Sequence, residues 1–248
     1  MGIIPGSTLR TGRSARTAIV AGSLASLLPV LVLWQQFRYL FFFHDDWIML
    51  DGATRLGLGR WLLEPFSGEG VYPLYKLLWL GAVRLTGGSY FGMILLLWVT
   101  HLAIGLLFGW LLARFGLPPA AIAFALLTFG LSWTNIETLG WFMQWSTQLS
   151  ILFFLAAWHF LFAEFAPARG VIVSMMVFVC LLASALSSTR GIVSGLVLAI
   201  FVLVRDKRPE RVRLCALCLL PTLLLAAVMW LFVPHHKAPP GAAFVYAC

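Results

Sequence analysis

His44, Asp45 and Asp46 stand together in the stretch FFFHDDWIMLDG, directly behind three aromatic residues that close a long apolar run. Carboxylates are scarce: the chain carries 9 Asp and Glu residues against 17 Lys and Arg. A carboxylate can take a proton from a hydroxyl or hold a metal ion, and ionisable residues at membrane depth tend to mark sites. Two readings of the pair stand. In one, Asp46 caps a helix that begins at Trp47 and Asp45 is its solvated neighbour. In the other, the pair divides its work, because adjacent residues on a helix diverge by about 100°. Asp46 then caps, and Asp45 points into a cavity as a base or metal ligand.

Other side chains carry chemistry of their own. Arg190 in SSTRG can grip a phosphate with two parallel hydrogen bonds, or can be a snorkelling charge at a helix end. Lys237, behind His235 and His236, is a second cation for the same task. Glu137 lies in SWTNIETLGWFMQW, between the third and fourth apolar runs. Trp133, Trp141 and Trp145 nearby can stack on a ligand or form an interfacial tryptophan belt. His101 and His159 fall inside apolar runs, where a hydrogen bond between helices is the default. Lys76 and Arg84 suit lipid headgroups. Cys215 and Cys218 lie one helical turn apart without a second ligand pair, which argues for small packing residues and against a zinc site.

The elements that must position these residues follow from composition. Of 248 residues, 61% are hydrophobic and 10% charged, and mean hydropathy is +0.95. A soluble domain of this length keeps more charge at its surface. Apolar runs recur that are long enough, or nearly so, to cross a bilayer core of roughly 30 Å as helices. The fold class is all-α, a polytopic transmembrane bundle of about seven spans in a single module. The expected spans run from Thr17 to Phe43, Ser89 to Ala113, Pro118 to Ser132, Gln144 to Phe165, Val171 to Leu186, Ile192 to Val204 and Leu214 to Val233. The first is too long for a secretory signal and lacks a small-residue cleavage site, so it reads as a retained anchor.

Basic residues near span ends orient the bundle. Arg10, Arg13 and Arg16 put segment 1–16 in the cytoplasm, and Arg114, Arg169 and the basic loop 205–213 then fall on that same side. The net charge of +8 is mostly topological. Basic residues split among short loops make a poor nucleic-acid surface. Most of the acidic residues fall outside, in or near the long loop 44–88. Two amphipathic helices are expected there. WIMLDGATRLGLGRWLLEPF turns Trp47, Leu50 and Leu58 to one face and pairs Asp51 with Arg55 on another. YPLYKLLWLGAVRLTGG opens with proline and closes with glycine. EPFSGEGVYP, with Glu64 and Glu69, connects them.

This layout resembles the C-type (GT-C) membrane glycosyltransferases, a group that includes protein mannosyltransferases and the aminoarabinose transferases of lipid A. HDDWIMLDGATR is similar to that family's acidic motif after the first span. EGVYPLYKLLW is similar to the stretch that opens its second surface helix, although Val71 and Tyr72 stand where a basic residue is expected. The resemblance implies a transferase of the bacterial inner (plasma) membrane that uses a polyprenyl-phosphate sugar at the outer face. It implies Asp45 and Asp46 as the catalytic pair, with Glu137, Arg190, Lys237, Glu69 and Tyr72 around the substrate. It also leaves room for a divalent cation (Mg or Mn) at Asp46 and Glu137. Family members usually carry several more spans, so an acceptor-binding part is expected beyond this module. Two other classes stay open: a lipid-linked-sugar flippase or other transporter, and a non-catalytic scaffold or fragment.

Overall fold

Helices fall in each expected span in the computed structural model, which describes residues 12–43, 45–66, 70–162, 170–205 and 211–232. The order is α1 (Arg13–Ala25), α2 (Leu28–Val32), α3 (Trp34–Phe37), α4 (Asp45–Arg55), α5 (Leu58–Leu63), α6 (Pro73–Leu85), α7 (Tyr90–Arg114), α8 (Pro119–Leu131) and α9 (Trp133–Gly140). A 3-10 turn, Phe142–Gln144, leads into α10 (Trp145–Phe162), α11 (Gly170–Ser187), α12 (Thr189–Arg205) and α13 (Arg211–Phe232). Among the described residues there is no strand, only an antiparallel bridge between Phe66 and Gly70.

Among the described residues, four stretches are long and apolar enough to cross a membrane: Arg13–Val32, Tyr90–Arg114, Phe142–Phe162 and Arg211–Leu231. The other three apolar helices are shorter, so length supports four spans where about seven were expected. The 13 residues of α8 rise about 20 Å, against roughly 30 Å of hydrocarbon.

The first apolar run is broken, not continuous. Ser26 and Leu27 turn ahead of Pro29, which cannot continue the hydrogen-bond ladder, and the Ser26 hydroxyl donates to Ser23 O at 2.6 Å. α8 closes on that break: a Cβ on Gly130 would sit 2.3 Å from Ser26 Cα, so the contact requires glycine.

Loop 44–88 also differs from expectation. Its first helical segment is two helices, because Gly57 is extended between α4 and α5. Trp47 and Leu58 are exposed, and the buried side chains are Asp46, Met49 and Trp61. Asp51 and Arg55 do pair. α6 buries Tyr75, Lys76, Trp79 and Ala82 along one face, and its buried apolar residues join α7 and the 142–149 region in one core. A second core is built from α10 to α13 and includes the free thiols Cys215 and Cys218. α10 belongs to both, with Leu149 in the first and Ala157 and Leu161 in the second.

Cross-links sort the connections into two ends. Tyr72 Oη lies 2.7 Å from Thr189 Oγ1, which brings the first loop to the α11–α12 turn. Arg114, the last residue of α7, donates to His159 O of α10 at 3.4 Å.

Candidate functional site

Asp46 occupies the second position of α4, inside the helix and past its cap. Its side chain reaches back: Phe43 N–H donates to Oδ2 at 3.2 Å, and Tyr90 O–H donates to the same oxygen at 3.3 Å. Tyr90 Oη in turn accepts from Phe142 N–H at 3.2 Å, tying the 3-10 turn to the carboxylate. The residue is fully buried, and Oδ1 has no hydrogen-bond partner among the described residues. Burial pushes the carboxyl up from 3.8 to about 6, against the two hydrogen bonds, and the neighbouring Asp45 adds to the rise. Asp46, and not Asp45 as expected, is therefore the inward carboxylate, while Asp45 is half-buried in the first turn of α4.

Lys76 does not meet lipid headgroups. Its Nζ is buried and donates to Trp61 O at 2.6 Å and Glu64 O at 2.7 Å, closing the C-terminal end of α5. Burial lowers its pKa to about 8, with Glu64 pulling the other way. Tyr72 is likewise buried, with its hydroxyl engaged by Thr189. Trp145 sits in the core and donates to Thr100 Oγ1 at 2.8 Å, while Trp133 is 80% exposed, so the three tryptophans form no single belt.

A cavity of about 240 Å³ lies at the end of the bundle where the first loop packs. Glu137 of α9 and Arg190 of α12 both line it. Neither Asp45, Asp46 nor Tyr72 does. Gln144, Thr147, Gln148 and Ile151 line it too, and their spacing of three, four and seven puts them on one helical face. His101 and Ile104 come from α7, and Asn135 and Thr138 from α9. Both Glu137 and Arg190 are exposed, and no ion pair joins them among the described residues.

The site is held by tight packing. A Cβ on Gly191 would meet Ser184 O at 2.0 Å, so α12 starts hard against α11. Ser184 Oγ donates to Ser150 O at 2.9 Å and lies 3.1 Å from Ser194 Oγ, fixing α10, α11 and α12 together. Arg190 is thereby set beside the polar face of α10.

His101 breaks the expectation of an interhelical hydrogen bond. Its ring stacks on Phe129 at 4.8 Å, and neither nitrogen has a partner among the described residues. His159 contributes its carbonyl to Arg114. His44, Glu69, Lys237 and the His235–His236 pair lie outside the described residues. Asp46 and Glu137, the pair named for a divalent cation, do not line a common cavity. Asp46 Oδ2 is taken up by Phe43 and Tyr90, and only Glu137 lines the cavity. Among the described residues no group of three or more His, Cys, Asp or Glu is placed for a metal.

Sequence reasoning missed His101 and Gln148 as cavity residues. The signal was present: Gln144, Thr147 and Gln148 put polar atoms on one face of an apolar helix. No family model, curated protein or solved structure matches the chain.

Proposed function

We propose that the chain is a membrane glycosyltransferase that moves a sugar from a polyprenyl-phosphate donor to an acceptor hydroxyl at the outer membrane face. One observation carries this reading: a guanidinium and a carboxylate, unpaired with each other, share a polar cavity at one end of an apolar helical bundle. The four long helices and three shorter ones are read as seven crossings of a bacterial inner membrane, with the N-terminus in the cytoplasm.

Arg190 takes the donor phosphate, since a guanidinium matches phosphate oxygens with paired hydrogen bonds. The prenyl chain lies along exposed apolar flanks such as Leu196, Val197 and Ile200 of α12. Glu137 accepts the proton of the acceptor hydroxyl as its oxygen bonds to the anomeric carbon, and the bond from that carbon to the phosphate oxygen breaks. Polyprenyl phosphate leaves with the negative charge Arg190 holds. The base is assigned to Glu137 and not to Asp46, because Asp46 is fully buried and hydrogen-bonded.

Purified protein in lipid nanodiscs, given radiolabelled polyprenyl-phosphate sugar, tests this. Loss of a general base commonly costs about 10²–10⁴ in rate, so Glu137→Gln should fall by that factor with its fold intact. Arg190→Lys should weaken donor binding despite keeping the charge. A dead, well-folded Asp45→Asn beside an active Glu137→Gln would return the base to α4. Donor binding without transfer would favour a carrier of lipid-linked sugars, and no donor binding at all would favour a scaffold.

A further inference from the structure

His101 and Gln148 are 1% and 3% exposed, and both line the cavity. Both imidazole nitrogens and both amide heteroatoms lack hydrogen-bond partners among the described residues. Four such atoms on two side chains that line one cavity call for a common cause, since the large majority of buried polar side-chain atoms in native structures are paired. The histidine cannot turn away to find one. The imidazole plane is fixed by its near-parallel stack, 9° from coplanar, on Phe129. Phe129 is fixed in turn through its carbonyl, which accepts from Asn135 Nδ2.

The inventory of unmet bonds specifies the missing partner. Neutral imidazole offers one donor and one acceptor, and a carboxamide offers two donors and an acceptor. A phosphate or carboxylate only accepts and an ammonium only donates, so either would leave part of the set unmet. A hydroxyl does both, and adjacent hydroxyls on one ring can answer both side chains together. A volume of about 240 Å³ far exceeds the roughly 10–15 Å³ one water needs. It falls short of the roughly 300–1,000 Å³ that enclose whole drug-sized ligands. The space suits one end of a larger molecule. The formal charges sit on the exposed Glu137 and Arg190, while His101 and Gln148 are the buried part.

We propose that His101 and Gln148 form the floor of a subsite for an uncharged, hydroxyl-bearing ring, with the charged end of the same ligand held at Arg190. That the ring is the sugar of the lipid donor rests on the transferase reading above; the hydroxyl chemistry rests on the unpaired atoms alone. The floor then favours a neutral hexose over an amino sugar or a uronic acid.

Binding of polyprenyl phosphate and of polyprenyl-phosphate hexose to the full chain in nanodiscs tests the proposal. The wild type should bind the hexose-bearing lipid at least tenfold more tightly. Gln148→Leu and His101→Phe should bring that ratio near one, leave bare polyprenyl phosphate unchanged, and hold or raise the melting temperature, because an unpaired buried polar group is removed. Arg190→Ala should weaken both lipids alike. A variant that still discriminates tenfold overturns the floor assignment, as does a wild type that binds both lipids equally. If neither lipid binds, the transferase reading falls, and free glucose at high millimolar concentration decides the floor separately. A saturable shift of the His101 side-chain ¹⁵N resonances, absent in Gln148→Leu, supports it; no shift means the cavity holds only water and overturns it.

Discussion

Asp46 and Glu137 are both carboxylates near the same 3-10 turn, yet the protein treats them in opposite ways. Asp46 is buried among aromatic rings, with one oxygen bonded to Phe43 N–H and Tyr90 O–H. Glu137 is exposed, lines a cavity and has no ion-pair partner among the described residues. The region around Asp46 uses one carboxylate oxygen to hold α4, α7 and the turn together. The cavity keeps its own capacity open. In a folded chain, chemistry directed at an outside molecule needs the second kind of place, because a carboxylate already bonded must first give up those bonds.

The buried carboxylate should give the strongest response. Its folded pKa of about 6 lies above the ordinary 3.8, so the fold prefers the protonated form. Between about pH 4 and 6 the folded chain binds that proton more tightly than the unfolded chain. Stability therefore falls as pH rises through this window, and the deficit is complete above pH 6. The shift corresponds to about 3 kcal/mol at most. Asp46→Asn keeps an acceptor for Phe43 and Tyr90 and removes the ionisation. It should gain up to that amount at pH 7.5 and nothing near pH 4, as read from unfolding in detergent micelles across this range. An unchanged pH slope in Asp46→Asn would mean that a different group titrates, and the contrast with Glu137 would lose its basis.

Next in size is Lys76, the other buried charge of the first loop. Its ammonium donates to two carbonyls at the end of α5, and hydrogen bonds to charged groups are worth about 1.5–3 kcal/mol each before the cost of burying the charge. Lys76→Met should lose about 2 kcal/mol of stability, with faster hydrogen exchange confined first to 58–64. A fully stable Lys76→Met would show that hydrophobic contacts alone hold this loop.

How much of this was legible depended on the range of the interaction. The helices lay open in the sequence because apolar runs of that length can do little else in lipid. The break at Ser26 was missed: Pro29 signals it locally, but the run stays apolar through it. The joining of Glu137 and Arg190 was half legible. Each stood out as a charge on the less basic side, but their shared cavity depends on α12 pressing against α11 at Gly191. The inward carboxylate is Asp46, where Asp45 was expected, because the start of the helix was judged from residue type. Which residue starts the helix is a one-position question, and here Asp45, not Trp47, begins it. The floor of the cavity was misread for a related reason. A histidine in an apolar helix is by default bonded to a neighbour, and only the three-dimensional packing reveals that His101 stacks on Phe129 instead.

A near-silent pair of substitutions is the sharpest test of the contrast. Glu137 and Arg190 line one cavity without an ion pair between them among the described residues. Surface substitutions away from structural contacts usually change stability by less than about 0.5 kcal/mol. Glu137→Ala and Arg190→Ala should each stay within that range, and the double variant should show a coupling below about 0.3–0.5 kcal/mol, the usual limit for independent sites. Asp46 and Tyr90, which share a hydrogen bond, should couple by more in the same cycle. A ligand spanning the cavity would change the first result but not the second. With polyprenyl-phosphate sugar bound, Glu137 and Arg190 would act on one molecule, so their coupling should become measurable in ligand-dependent stabilisation. If Glu137 and Arg190 already couple strongly without ligand, they hold each other in solution, and the cavity then has its polar groups tied up just as the pocket around Asp46 does.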